Sequence, residues 1–192
     1  MSEIGILLLA AGSSQRMGSP KQLLDYKGQT LIEHTLQVML KHGVASCTVV
    51  LGANAKRIQT QCDLAAADYI VNPTWEMGMG NSIAFGMRYL ITNQPKLGHI
   101  MIALVDQPHI LTEDYAKLIE ASHIEPEKII ASYYDDHAGA PMVFPSSYFK
   151  RLAALDGDEG ARRIVRNELK NVVKIAMPQA ALDWDRPEDV SA

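Results

Sequence analysis

Residues 4–9, Ile4-Gly5-Ile6-Leu7-Leu8-Leu9, form an apolar run that ends at Ala10-Ala11-Gly12. A strand with one face in water alternates apolar and polar residues. An unbroken run is the mark of a strand buried on both faces, and such strands occur in parallel sheets covered on each side by helices. The run, which contains Gly5 and stops at Gly12, falls far short of the ~20 residues that span a bilayer and lacks a cationic leader. Neither a membrane span nor a signal peptide is expected from it.

The rest of the chain supplies the covering layers. Thr30 can cap a helix whose Leu31, Ile32, Thr35, Leu36, Met39 and Leu40 share one stripe, with Gly43 as its C′ stop. Residues 47–51 are an apolar strand ended by Gly52; 55–64 read as a helix, and 69–71 as a short strand halted by Asn72-Pro73. Residues 81–92 read as a helix burying Ile83, Met87, Leu90 and Ile91, and 99–105 as a second strongly apolar strand. Residues 112–123 form a helix opened by a Thr112 cap, with Glu113 and Asp114 beside the positive end of its dipole. Strands at 128–134 and 141–144 flank a polar turn over 135–139; helices at 147–155 and 160–169 precede a last strand at 172–176. This alternation predicts one domain over residues 1–192: α/β, three-layer α/β/α, with a mostly parallel mixed sheet of Rossmann-like kind.

Composition removes several functions. The net charge of −4 comes without clustered Lys or Arg, which argues against a nucleic-acid or anionic-membrane surface. Cys47 and Cys62 have no CxxC spacing, so neither a zinc site nor a disulfide framework is expected, and a cytoplasmic location is. His34, His42 and His123 read as surface or helix-end residues.

Ligands of such sheets lie beyond the carboxyl ends of the strands, which directs attention to the loops after Leu9, Val71 and Val105. In the first loop, Gly12 and Gly18 let backbone N–H groups approach a ligand, Arg16 offers a planar fork, and Lys21 a mobile charge. A lone Gly/Ser loop is more often a solvated surface; two cations interleaved with two glycines straight after a core strand favour phosphate. Five residues separate Gly12 from Gly18 and Gln22 follows Lys21, so this is not a Walker A loop. No third glycine completes a Rossmann fingerprint here, and Gly78-Met79-Gly80 meets Ile83 at that position. Asp106 at a strand end suits Mg²⁺, whose sites need few protein carboxylates beside substrate phosphates, although Asp before a Pro-containing loop is also a common turn.

The segment Leu9-Ala10-Ala11-Gly12-Ser13-Ser14-Gln15-Arg16-Met17-Gly18-Ser19-Pro20-Lys21 resembles the signature loop of GT-A-like nucleotidyltransferases, and most closely that of the molybdenum cofactor cytidylyltransferase family. The resemblance continues at Asp106-Gln107-Pro108, at Gly157-Asp158-Glu159-Gly160-Ala161-Arg162 and at Asp185-Arg186-Pro187-Glu188-Asp189. It implies Mg²⁺-dependent transfer of CMP from CTP to the phosphate of molybdopterin, with release of pyrophosphate. It implies catalytic roles for Arg16, Lys21 and Asp106, and nucleotide contacts from Ala10, Ala11, Gly12, Ser13, Ser14, Arg16, Lys21, Gly80 and Ser82. Asp106 and Asp185 would be the metal ligands. The family's guanylyl branch carries Ala-Gly-Gly and a Met where this chain has Ala10-Ala11-Gly12 and Gln107, which favours CTP. The implied partners are CTP, a phosphorylated pterin acceptor and a molybdoenzyme receiving the cofactor.

Alternatives stay open beside these. Asp185, which with Asp183 flanks Trp184, could start a helix; Asn81 or Ser82 could cap one; Met77 and Met79 read as packing residues. Gly139 and Pro141 match the family's Arg-Gly-His-Pro element, but Ala138 and Ala140 replace its Arg and His, and His137 reads as a surface residue. The acceptor could therefore be another phosphorylated molecule such as a sugar 1-phosphate, or the protein a non-catalytic cofactor-delivery module. Residues 157–162 could close over the acceptor with Arg162 or Arg163 meeting its phosphate, or these arginines could form a solvated basic helix face.

Overall fold

The computed structural model describes residues 3–41 and 44–191, so His42 and the Gly43 stop lie outside the described residues. The opening run becomes β1 (Glu3–Ala10). Its residues alternate between two cores: Ile6, Leu8 and Ala10 belong to one, Leu7 and Leu9 to the other. Both faces are covered, and that is why the run needs no polar residue.

A small hairpin of β2 (Asp25–Tyr26) and β3 (Gln29–Thr30) leads into α1 (Leu31–Met39). Then follow β4 (Ser46–Leu51), α2 (Ala55–Gln61), β5 (Asp68–Val71), α3 (Met79–Asn93), β6 (Leu97–Leu104) and α4 (Thr112–Ile124). The chain continues with β7 (Ile129–Tyr134), β8 (His137–Pro145), α5 (Phe149–Leu152), α6 (Arg162–Asn167) and β9 (Val172–Ala176). The seven-stranded sheet has the order β5-β4-β1-β6-β8-β7-β9. Only β8 runs antiparallel to its neighbours, so the sheet is mixed but mostly parallel, as the alternation predicts. Leu31 of α1, Ile58 of α2 and Leu118 of α4 pack in the core of one face. Ile83 of α3, Leu152 of α5 and Ile164 of α6 pack in the core of the other. Among the described residues no helix is long and apolar enough to cross a membrane.

The cap on α1 is as expected. Thr30 Oγ1 accepts from the Glu33 N–H at 3.4 Å, and the Glu33 carboxylate accepts from the Thr30 N–H at 2.9 Å, a closed capping box. Other boundaries move. Thr112 does not cap α4: it is the first helical residue after Leu111, and Asp114 reaches back to the Leu111 N–H at 3.1 Å. Helix α3 starts at Met79, so neither Asn81 nor Ser82 caps it; Asn72 Nδ2 donates to both side chains instead. Ile91 lies on the exposed side of α3, and Gly86 takes its place on the inner side. A Cβ at Gly86 would come within 2.5 Å of the Leu7 side chain, so α3 rides unusually close to β1.

Strand β8 begins four residues before the expected Pro141, because the turn is only Asp135-Asp136, both at positive φ, as two-residue hairpins require. The helix expected over 147–155 is a 3₁₀ turn plus the short α5, and that over 160–169 shrinks to α6. His34 is buried against the Tyr26 ring, with centroids 4.5 Å apart, rather than at the surface. His123 is exposed as expected.

Candidate active site

The carboxyl ends of β1 and β6 open into a cleft of about 420 Å³. Its floor is the first loop, and a buried side chain holds that loop in place. Gln22 Nε2 donates to the Ala10 carbonyl at 2.7 Å and to the Gly12 carbonyl at 3.3 Å. The Ala11 carbonyl accepts from Ala53 N–H at 3.0 Å, and the Ser14 carbonyl from Met17 N–H at 3.1 Å, with Met17 buried beneath. The Ser14 hydroxyl accepts from the Lys21 N–H at 3.0 Å. The carbonyls of Ala10, Ala11, Gly12 and Ser14 are thus taken up inside the protein. Among the described residues, the N–H groups of Gly12, Ser13, Ser14, Gln15 and Arg16 have no protein acceptor. A Cβ at Gly12 would meet nothing within 4 Å, so the space above the loop is open. Residues 12–16 line this cleft, and backbone N–H groups left without protein acceptors beside an open cleft suit an anion.

Four charged side chains expected from sequence converge at the rim. Lys21 Nζ donates to Asp106 Oδ2 at 3.0 Å and to Asp185 Oδ1, and Arg16 Nη1 lies 3.3 Å from Asp185 Oδ2. Burial alone would lower the Lys21 pKa, but Asp106 and Asp185 outweigh it and hold the ammonium above its ordinary value. The Lys21 hydrogen bond, against the opposing effect of burial, keeps the Asp185 carboxyl below its ordinary range. The other oxygen of Asp106, Oδ1, is buried without a hydrogen-bond partner.

Asp185 reaches this point because Trp184 is anchored. The indole is buried, packs edge-on against Tyr26 at 5.3 Å, and its backbone N–H donates to the Asp106 carbonyl at 2.9 Å. The helix-start reading of Asp185 also finds a counterpart, with the polarity reversed. The Asp189 carboxylate accepts from the N–H groups of Asp185 and Arg186, opening a 3₁₀ turn over Pro187–Ser191. On the inner side of Trp184, burial first, and then Asp106, push the Asp183 carboxyl up to about 6.

The cleft's second wall comes from residues 75–82. Trp75, Glu76, Gly78, Met79 and Ser82 line it, Trp75 fitting against Gly52, where a Cβ would come within 2.6 Å of the Trp75 Cβ. Met77 and Met79 are exposed at 59% and 44%, not packing residues, and Met79 faces the cleft. Gly80 departs from expectation: it is buried, does not line the cleft, and its N–H is bonded to the Gly157 carbonyl at 2.7 Å. Its glycine serves the close approach of the 156–158 loop, which brings Asp158 into the cleft wall. Asp158 belongs to the Gly157–Arg162 motif and Glu76 to the glycine-rich turn before α3, whereas Trp75 carries no signal in spacing or composition; the fold brings the three to one cleft.

Farther along, Gln107 is not aimed at the cleft. It is buried, and its Nε2 ties the Ala180 carbonyl at 2.8 Å to the Ala140 carbonyl at 3.2 Å. The two candidate acceptor arginines also separate. Arg163 pairs with Asp156 at 3.3 Å, whereas Arg162 Nη2 donates to the Tyr134 hydroxyl at 3.2 Å and has no acidic partner among the described residues. His137 packs edge-on to Tyr134 at 4.8 Å, so it too is part of this cluster rather than a free surface residue.

Chemically, the site offers N–H donors and two cations for a polyphosphate, and two carboxylates for a hard divalent ion. The fit to such an ion is good: an unpartnered Asp106 oxygen, oxygen-only donors, and few enough of them to leave room for substrate oxygens. Among the described residues no group of three or more His, Cys, Asp or Glu could by itself hold a metal ion.

Similarity to known proteins agrees with this geometry. Residues 6–172 match the MobA-like NTP transferase domain. The chain is 35% identical over 171 residues to nicotine blue oxidoreductase of Paenarthrobacter nicotinovorans, covering 84% of this chain and 81% of that protein. It is 29% identical over 175 residues to the purine catabolism protein PucB of Bacillus subtilis, covering 85% and 80%. Among solved structures, Rv0371c of Mycobacterium tuberculosis superposes with a TM-score of 0.85 at 29% identity, covering 99% of this chain and 96% of that one. Rv0371c has also been solved in complex with manganese, matching at 27% identity and a TM-score of 0.80 over 100% of this chain and 97% of that one. The chain belongs to the MobA-like NTP transferase family and is a nucleotidyltransferase.

Proposed function

We propose that this nucleotidyltransferase moves CMP from CTP to the terminal phosphate of molybdopterin in a Mg²⁺-dependent reaction. The observation that carries the reading is Lys21 touching both Asp106 and Asp185 beside a cleft-lining loop whose N–H groups have no acceptor among the described residues. A phosphate oxygen of the acceptor attacks the α-phosphorus of CTP, and pyrophosphate leaves. The acceptor oxygen is already anionic, so the protein needs no strong base; its work is alignment and charge neutralisation. The 12–16 N–H groups and Ser14 orient the triphosphate, while Arg16 and Lys21 take the charge that builds on pyrophosphate. Asp106 and Asp185 would hold a divalent ion, which when bound neutralises phosphate charge. By analogy with an oxyanion donor, each of the two cations contributes about 3 kcal/mol to the transition state. Ala11 in place of a second glycine supports CTP over GTP, and no contact by Gln107 is invoked, since that side chain serves the fold. The protein's place would be the cytoplasm, handing its product to a molybdoenzyme.

Purified protein with Mg²⁺, CTP and molybdopterin is expected to release pyrophosphate and form the cytosine dinucleotide, with GTP and ATP much poorer. Faster turnover with a sugar 1-phosphate would replace this acceptor by the other class. Binding of the pterin without turnover of any nucleotide would overturn the catalytic reading for this chain.

A further inference from the structure

The cation expected to hold phosphate and the carboxylates expected to hold metal hold one another. The Lys21 side chain is only 12% exposed, and its ammonium sits between the carboxylates, within hydrogen-bond distance of both. A divalent ion held by Asp106 and Asp185 together would compete with this ammonium for the same two carboxylates. An ammonium and a divalent cation cannot share that position, since like charges a few ångströms apart repel strongly in a partly buried site. Arg16 adds a second positive charge against Asp185, but from the outside, at 69% exposure.

We propose that Lys21 is an internal counter-ion which the metal must displace, and that a triphosphate makes the exchange possible by giving Lys21 a new anion. This rests on the reading of Asp106 and Asp185 as the metal ligands. The loop supplies the means: the N–H groups of Gly12 to Arg16 bring a polyanion beside Lys21, whose long side chain can swing from carboxylate to phosphate. Nucleotide binding then frees two carboxylates as it delivers further oxygen ligands. Metal and nucleotide bind as a coupled pair, each raising the affinity of the other by the same factor. Without nucleotide the protein holds its catalytic ion weakly, and the unsatisfied Asp106 Oδ1 remains poised for it.

The test is Mn²⁺ binding alone, without nucleotide or acceptor, followed by electron paramagnetic resonance and calorimetry. Lys21→Met is expected to bind Mn²⁺ roughly 5–150-fold more tightly than the unsubstituted protein, the ordinary span of such couplings, although it is the less active enzyme. Lys21→Gln gives the same direction and guards against a Lys21→Met that folds poorly. Arg16→Gln removes an equal charge without vacating the position, and gives a much smaller gain because its ion pair is exposed. Equal gains from Lys21→Met and Arg16→Gln would reduce the effect to general charge and overturn the exchange. So would unchanged Mn²⁺ affinity in both Lys21 variants, with binding still abolished by Asp106→Asn; the metal-site reading would then survive. Binding indifferent to Asp106→Asn would overturn both.

Discussion

Gly12 and Gly80 both sit in glycine-rich turns at the carboxyl end of the sheet, and they do opposite things. Around Gly12 the carbonyls are consumed by Gln22, Ala53 and Met17, the N–H groups of residues 12–16 have no acceptor among the described residues, and an added Cβ would meet empty space. At Gly80 the N–H is spent on Gly157, and an added Cβ would lie 2.4 Å from the Asp156 carbonyl oxygen. One glycine keeps room for a ligand; the other lets two segments of the protein touch. Glycine content alone does not distinguish them. The destination of the backbone donors does.

The contrast can be broken most forcefully at the reacting end of the first loop. Lys21→Met is expected to lower kcat/KM about 10²–10³-fold, while the thermal midpoint stays close to that of the unsubstituted protein. A fully active variant would detach the loop from the chemistry. Gly80→Ala should act through the fold: the backbone it would strike cannot yield cheaply, so denaturant unfolding should show a loss of about 1–3 kcal/mol. Gly12→Ala sharpens the comparison from the other side. Its stability should stay within about 0.5 kcal/mol, with the KM for CTP raised about tenfold, equivalent to about 1.4 kcal/mol of lost binding.

A last prediction lies away from the cleft. Burial opposes ionisation of Glu33, but hydrogen bonds from Thr30 and from the Asp63 N–H outweigh it and keep the carboxyl below its usual range. A lowered folded value gives stability that is present above the unfolded value of 4.5 and is lost as pH falls through the folded one. Thr30→Ala should therefore cost about 1 kcal/mol at pH 7, less below pH 4.5, and leave turnover unchanged.

The same contrast explains what could be read from sequence. The parallel half of the sheet was legible because its strands are local apolar runs, stopped by Gly12, Gly52, Asn72-Pro73 and Asp106, and because residues 4–10 of β1 carry no polar side chain. Thr30 was legible as a cap because its partner Glu33 is three residues away. Where the decisive partner is distant, local reading fails. Asp114 supplies the α4 cap that Thr112 was expected to give, and Asn72 takes both Asn81 and Ser82 from across the turn. Strand β8 extends to His137 because pairing with β7 continues up to the Asp135-Asp136 turn, through residues whose composition suggests a loop. In the site, the type and rough place of Arg16, Lys21, Asp106 and Asp185 were legible, since each lies at a strand end or in a motif. Their mutual pairing was not, because residues 21, 106 and 185 meet only through the sheet order and the Trp184 anchor.

The most direct test of the central claim is a crystal structure with Mn²⁺ and a non-hydrolysable CTP analogue. The account predicts an anomalous manganese peak bound by Asp106 and Asp185, triphosphate oxygens on the N–H groups of residues 12–16, and Lys21 turned from the carboxylates to phosphate. Manganese or triphosphate lodged away from these residues would contradict it.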